Sequence, residues 1–228
     1  MPKHPVIAID GPAGSGKSTA ARLLARKLGY THVDTGALYR TVTWLAIERG
    51  VDLADERALA AVVPAIHVRF EPSADGQRVF SGPRDISREI RTPELTRQVR
   101  FAAVSPLVRK ALVPVQREFA ERGPCVMEGR DIGTVIFPDA QVKFYLDAPL
   151  RVRAERRWKE LVAAGKSATL EEVEREEAAR DESDLKRATA PLRKADDAIV
   201  VDTGRFDIDG MVEHLARLTG ERLKGGGA

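Results

Sequence analysis

Asparagine is missing from all 228 residues, and cysteine occurs once, at Cys125. A single cysteine excludes an internal disulfide and any cysteine-rich metal site. Set in an apolar run, Cys125 reads as a small core residue. Without asparagine there is no Asn-Lys-x-Asp segment, the guanine reader of GTP-binding switch proteins. No run of about 18 apolar residues occurs, so nothing reads as a membrane span. The opening Met1-Pro2-Lys3-His4-Pro5 passes through a short apolar run into a glycine-rich turn, unlike a secretory leader, and a cytoplasmic location is expected. Histidine is sparse: His4, His32, His67 and His214 are scattered, and none acquires a role from its neighbours.

What is present is a soluble globular composition, 43% hydrophobic and 31% charged. The net charge is only +3, with arginines and acids interspersed. A polynucleotide binder concentrates its basic residues, so this balance suits small anions held by a few arginines. No heptad or exposed apolar stripe demands a partner, and a monomer is expected. The length allows one α/β core with an inserted subdomain.

Short β-rich runs alternate with longer helical patterns, which predicts a parallel sheet flanked by helices. Strands are expected at Val6–Asp10, His32–Val33, Cys125–Glu128, Val142–Asp147 and Ile199–Asp202. Helices are expected from Lys17 to Leu28, capped by Gly29, and over Gly36–Arg49, Pro106–Glu121, Leu150–Ala164, Leu170–Asp184 and Asp207–Leu218. Between Ala65 and Ile86, two alternating runs around Asp75-Gly76 predict a hairpin, a small antiparallel insertion on the main sheet. One domain over 1–228 is therefore expected, with an insert at about 63–90. The charge-dense stretch at about 151–184 is either solvated helix surface or a lid. The tail from Lys224 is expected to fray.

Gly11-Pro12-Ala13-Gly14-Ser15-Gly16-Lys17-Ser18-Thr19 satisfies G-x-x-x-x-G-K-[ST] between a strand and a helix, the context this phosphate loop requires. Glycines let backbone N–H groups converge on phosphate oxygens, and the helix adds its positive end. Lys17 suits the β- and γ-phosphates of ATP, and the Ser18 hydroxyl suits Mg²⁺. Motor and transporter ATPases need longer chains or partners, which leaves a small-molecule kinase. Such an enzyme needs a second anion site and a basic lid.

Three clusters can supply them. Asp34-Thr35-Gly36-Ala37-Leu38-Tyr39-Arg40 runs from a strand end into a helix. Asp34 can reach a metal through water, although Asp-Thr-Gly alone is also a plain helix cap. Glu128-Gly129-Arg130-Asp131 follows an apolar run, and Glu128 stands where a strand-end acid often holds Mg²⁺ or its waters. Arg180, Asp184 and Arg187 fall at i, i+4 and i+7, on one helical face. Arg153, Arg156 and Arg157 open the basic stretch after the Val142–Asp147 strand.

Together these segments resemble the bacterial cytidylate kinases, a branch of the nucleoside monophosphate kinases. The resemblance spans nearly the whole chain. It runs through Asp-Thr-Gly-Ala-Leu-Tyr-Arg, Ile90-Arg91-Thr92-Pro93-Glu94, Gly-Arg-Asp-Ile-Gly-Thr-Val-Ile-Phe-Pro-Asp and Arg-Asp-x-x-Asp-x-x-Arg to Ala190-Pro191-Leu192. It implies transfer from ATP to CMP and dCMP, with Mg²⁺, through a P-loop kinase fold with an acceptor-binding insert and a helical lid. By position it implies that Arg40, Arg130 and Arg180 hold the acceptor phosphate and that Arg109 and Asp131 read cytosine. Asp184 and Arg187 would hold the ribose, with Thr35 and Tyr39 on the same side. The catalytic set would be Lys17 with the lid arginines. Thr35 stands where serine is commoner, and Arg100 stands where many relatives have a serine near the base. The same fold with UMP, AMP, shikimate or dephospho-coenzyme A as acceptor remains an alternative, as does a non-catalytic nucleotide-binding regulator.

Overall fold

The computed structural model describes residues 2–73, 76–163 and 165–225. Strand β1 (Val6–Asp10) is buried at every position and leads through the glycine-rich loop into helix α1 (Lys17–Leu28). Gly29 ends α1 at φ 70, a left-handed conformation that glycine adopts without a Cβ penalty. Strand β2 (Thr31–Asp34) runs into α2 (Thr35–Glu48), capped by the Asp34 carboxylate, and α3 (Glu56–Ala61) follows behind the Asp55 cap. Then come β3 (Val68–Ser73), β4 (Gly76–Ser81) and β5 (Arg84–Asp85). Helices α4 (Pro93–Val104) and α5 (Pro106–Arg122) each open on a proline behind a Thr92 or Ser105 cap, where the missing N–H costs nothing. The rest is β6 (Cys125–Gly129), β7 (Val142–Asp147), α6 (Leu150–Ala163), α7 (Leu170–Lys186), β8 (Ile199–Asp202) and α8 (Ile208–Gly225).

Five strands form one parallel sheet in the order β2-β6-β1-β7-β8. The chain leaves β1 toward one edge and later fills the other, so the switch point lies at the carboxyl end of β1, where open α/β sheets bind ligands. Period-2 alternation splits β1 between two cores. Val6 and Ala8 pack with α2 to α5, whereas Ile7 and Ile9 pack with α1 and α8.

The insert forms its own antiparallel sheet, β3-β4-β5, rather than extending the main one. Ser73 pairs with Gly76, and Asp75 of the expected turn lies outside the described residues. Its Phe80 is flanked by the guanidinium groups of Arg69 and Arg78, 4.3 and 4.9 Å from the ring centre. Gln77 Nε2 donates to the His32 carbonyl at 2.9 Å, tying β4 to the outer edge of β2.

Other boundaries moved as well. Helices α3 and α4 were not expected; α4 carries a Thr92 cap, Pro93 at its first position and Glu94 in its first turn, which together mark a helix start. Helix α8 reaches Gly225, so Lys224 and Gly225 are helical rather than frayed, and residues 226–228 lie outside the described set. Ala164, expected at the end of α6, also lies outside it. Arg187 is not on the face of α7: it caps the helix with extended backbone, φ −60 and ψ 140. No helix among the described residues is long and apolar enough to cross a membrane.

Candidate active site

A Cβ on Gly11, at φ 149, would lie 2.0 Å from the Leu146 carbonyl oxygen, so only glycine fits where β1 turns beside β7. Lys17 at the start of α1 is buried, and its ammonium donates to the Pro12 carbonyl and, at 3.2 Å, to Ser15 Oγ. Burial, then the charge of Arg130, holds the Lys17 pKa well below the usual lysine value. An arriving anion would relieve both penalties.

The loop is braced from behind. Arg153 Nη1 donates to the Ala13 carbonyl at 3.0 Å, Nε to the Ala148 carbonyl at 2.9 Å, and Nη2 to Asp181 Oδ2 at 2.6 Å. The hydroxyl of Thr203, just after β8, donates to the Ser15 carbonyl at 3.0 Å, and Arg156 donates to both oxygens of Thr203.

Beside Lys17, parallel pairing sets Asp34 opposite Glu128 at the ends of β2 and β6. Ser18 Oγ donates to Glu128 Oε2 at 2.7 Å, and His32 Nε2 lies 3.0 Å from Glu128 Oε1. Burial would raise the Glu128 pKa, but the hydrogen bond from His32, that of Ser18 and the charge of Lys17 outweigh it, and the carboxyl is held below its ordinary value. Burial, then the Glu128 charge, pushes Asp34 the other way.

Across the cleft, Arg109 Nη2 donates to Asp131 Oδ2 at 2.5 Å in a buried pair, beneath the Tyr39 ring. Arg187 lies 3.8 Å from the other Asp131 oxygen and 3.4 Å from Asp184, whose second oxygen accepts from Arg130 Nε at 2.8 Å. Asp184 thus pairs with Arg130 and Arg187, not with Arg180 one turn away. Arg40 donates to the Ile90 carbonyl at 3.2 Å and to Thr96 Oγ1 at 2.9 Å. Burial, with Arg180 near Arg40 and Arg130 near Arg180, lowers the pKa of both arginines, the signature of a cationic site awaiting an anion.

Asp10 was not singled out from the sequence. Its carboxylate accepts the N–H groups of Ile132 at 2.9 Å and Gly133 at 2.8 Å, which holds a single π-helical turn, Ile132–Ile136, directly behind Asp131. Burial pushes its pKa up to about 6 against the pull of those two bonds.

One cleft of about 730 Å³ gathers most of the expected residues. From the loop it takes Ala13, Gly14, Gly16, Lys17, Ser18 and Thr19; from the facing side it takes Asp34, Thr35, Tyr39, Arg40, Arg109, Glu128, Arg130, Asp131, Arg180, Asp184 and Arg187. Arg156 and Arg157 line it too. Gly11, Pro12 and Ser15 stand behind this lining, and so does Arg153, only 5% exposed with its donors engaged. The three arginines of α6 are therefore divided: Arg153 braces the loop from behind, Arg156 lines the cleft while bound to Thr203, and Arg157 lines it as well. Arg100 is exposed, its guanidinium 5.1 Å from the Phe101 ring, and Thr96, Val99 and Ala103 line the cleft in its place. Thr35 spends its hydroxyl on the Glu128 carbonyl at 2.7 Å. Sequence reasoning missed Arg91, Glu177 and the group Phe206, Asp207, Ile208 and Met211, which closes the loop end of the cleft. Arg91 lay within a quoted motif; the last group has no local signal.

This sheet order, with a glycine-rich phosphate loop facing a second set of arginines across one cleft, defines a P-loop kinase. Residues 7–221 match the family model described as cytidylate kinase, and the chain belongs to that family. It is 47% identical over 218 residues to a cytidylate kinase of Exiguobacterium sibiricum, covering 96% of this chain and 98% of the relative. With a cytidylate kinase of Anoxybacillus flavithermus it shares 44% over 225 residues, 99% of this chain and 100% of that one.

Proposed function

We propose that the chain transfers the γ-phosphoryl group of ATP to CMP, giving ADP and CDP, and that dCMP is also an acceptor. The observation that carries this reading is the pairing, in one cleft, of a phosphate loop with a cationic site beside a buried Arg–Asp pair. The acceptor phosphate has a second pKa of about 6, so its oxygen attacks already ionised and no general base is required. Catalysis then rests on alignment and charge neutralisation.

The loop amides and Lys17 would hold the donor's β- and γ-phosphates, with the Lys17 ammonium leaving the Pro12 carbonyl for the ligand. Arg40, Arg130 and Arg180 would grip the acceptor phosphate, and planar guanidinium forks suit its oxygens. Asp131, fixed by Arg109, would accept from the exocyclic amino group of cytosine. Uracil would offer a carbonyl oxygen there and leave the carboxylate unpaired. Arg187 and Asp184 suit the ribose, and Arg156 and Arg157 the transferred group.

Magnesium fits the donor set beside Lys17, since a hydroxyl and two carboxylates are hard oxygen ligands, few enough to leave room for phosphate oxygens and water. Ser18 would hold it directly, with Asp34 and Glu128 acting through water. Bound with ATP, it would neutralise β- and γ-phosphate oxygens. We assign residues 63–90 to the acceptor side and 151–184 to a lid that excludes water when both substrates are present.

ADP release with Mg·ATP against CMP, dCMP, UMP, AMP, GMP and shikimate tests the reading. Turnover with CMP and dCMP is expected, and turnover with shikimate alone would overturn the roles of Arg109 and Asp131. A folded Lys17→Ala variant is expected to lose at least about a hundredfold in kcat, as one charge-stabilising group removed from a dry site does. Near-native activity would remove the loop from the mechanism.

A further inference from the structure

We propose that His32 is a positioning residue that acts through Glu128 on the orientation of the Ser18 hydroxyl. This rests on the reading of Ser18 as the metal's protein ligand. His32 lies on the edge strand β2, two residues before Asp34, so both side chains project from the same face of the sheet. Across the ladder, His32 pairs with Val126 and Asp34 with Glu128. The imidazole therefore reaches diagonally along β6 to the carboxylate, 3.0 Å away. Both partners are nearly enclosed, with side chains 10% and 5% exposed.

A carboxylate only accepts hydrogen bonds, and Glu128 already accepts from Ser18, so the hydrogen between the two is assigned to His32 Nε2. Glu128 then receives two donors on two different oxygens, His32 on Oε1 and Ser18 on Oε2. That arrangement decides where the Ser18 proton points. With its hydrogen committed to Glu128, the serine oxygen presents lone pairs to the opposite side. Lacking His32, Glu128 would sit beside the Asp34 carboxylate with one oxygen unpaired and free to turn away. The strand is itself held, because Gln77 Nε2 occupies the His32 carbonyl from the insert.

The test separates the ring nitrogens. His32→Gln carries an amide N–H where Nε2 stands; His32→Asn carries it where Nδ1 stands, out of reach of Glu128; His32→Leu carries none. Outer-sphere partners of metal sites are worth about 10–100-fold in metal affinity. His32→Asn and His32→Leu should weaken Mn²⁺ binding to the ADP complex, read by electron paramagnetic resonance, about tenfold. The free Mg²⁺ needed for half-maximal rate should rise alongside, while the KM for CMP stays within about twofold. His32→Gln should stay within about twofold of native in all three. In the metal-free protein, ¹⁵N NMR of the His32 ring should show the hydrogen on Nε2. Native Mn²⁺ affinity in His32→Leu would overturn the proposal, as would equal losses in the Gln and Leu variants with a parallel rise in the KM for CMP. Ser18→Ala separates the levels: if it weakens Mn²⁺ but His32→Leu does not, only the role of His32 falls. If Ser18→Ala leaves Mn²⁺ affinity unchanged, the ligand assignment falls and the role of His32 with it.

Discussion

At the scale of single residues, a buried polar group can line the cleft, hold its shape, or do both at once. Asp131 does both, because its carboxylate is enclosed with Arg109 while facing the cleft. Asp131→Asn should raise the KM for CMP at least about tenfold and leave that for ATP within about twofold. Breaking a buried pair also destabilises by about 3 kcal/mol or more, so kinetics and melting should be measured on the same preparation. Equal losses for both substrates would make the residue structural. Asp10 holds the turn behind Asp131, and its raised pKa has a sign opposite to the usual one for carboxylates. Between pH 3.8 and about 6 the unfolded chain loses the Asp10 proton while the folded chain keeps it. Stability from this group therefore falls as pH rises through that window, by about 3 kcal/mol in all, and is flat above it. Urea unfolding of native protein and Asp10→Asn from pH 4 to 7 should show this slope in the native protein and not in the variant.

Among the elements, helices α6 and α7 are tied to the phosphate loop through one arginine. Arg153 on α6 binds the Ala13 carbonyl of the loop and Asp181 on α7 at once. Arg153→Met and Asp181→Asn, alone and combined, should give a coupling energy above about 1 kcal/mol in unfolding, because the pair is largely enclosed. Loss of this tie should also raise the KM for ATP. Additivity would make the contact incidental. This element shows what was legible in the sequence. The phosphate loop, the five strands and both flanks of the cleft could be located because their residues lie close together in the chain, with fixed spacing. Arg153, Arg156 and Arg157 are equally basic on one helix, and only partners supplied by other segments, Ala13 for Arg153 and Thr203 for Arg156, decide what each one holds. Asp10, His32 and Thr203 find their partners in segments more than ninety residues away in the chain, as Asp34 finds Glu128. No local pattern carries that information. Arg187 lost its expected helical face because α7 ends one residue earlier, yet its guanidinium still reaches Asp184 and Asp131.

Considered whole, the molecule concentrates positive charge where its two flanks meet. Arg40, Arg91, Arg130, Arg157 and Arg180 all line one cleft. Their mutual repulsion opposes the compact state, so anions bound there should stabilise the fold by more than general salt does. A non-hydrolysable ATP analogue and CMP together should raise the melting temperature by more than the sum of their separate shifts, since each offsets charge that repels within the same cleft. Strict additivity would indicate two independent sites with no coupling between them.

The strand order also governs how the chain comes into being on a ribosome. Strand β1 emerges well before its partners β6 and β7, which begin only at Cys125 and Val142. The Thr203 hydroxyl that closes the loop through Ser15 comes later still. Ile7 and Ile9 therefore wait, unpaired and apolar, while more than a hundred further residues are made, a condition that invites chaperone engagement. The phosphate loop is made long before the strands and the hydroxyl that complete it, so a chain stopped before β8 would carry the motif without the means to hold it in shape.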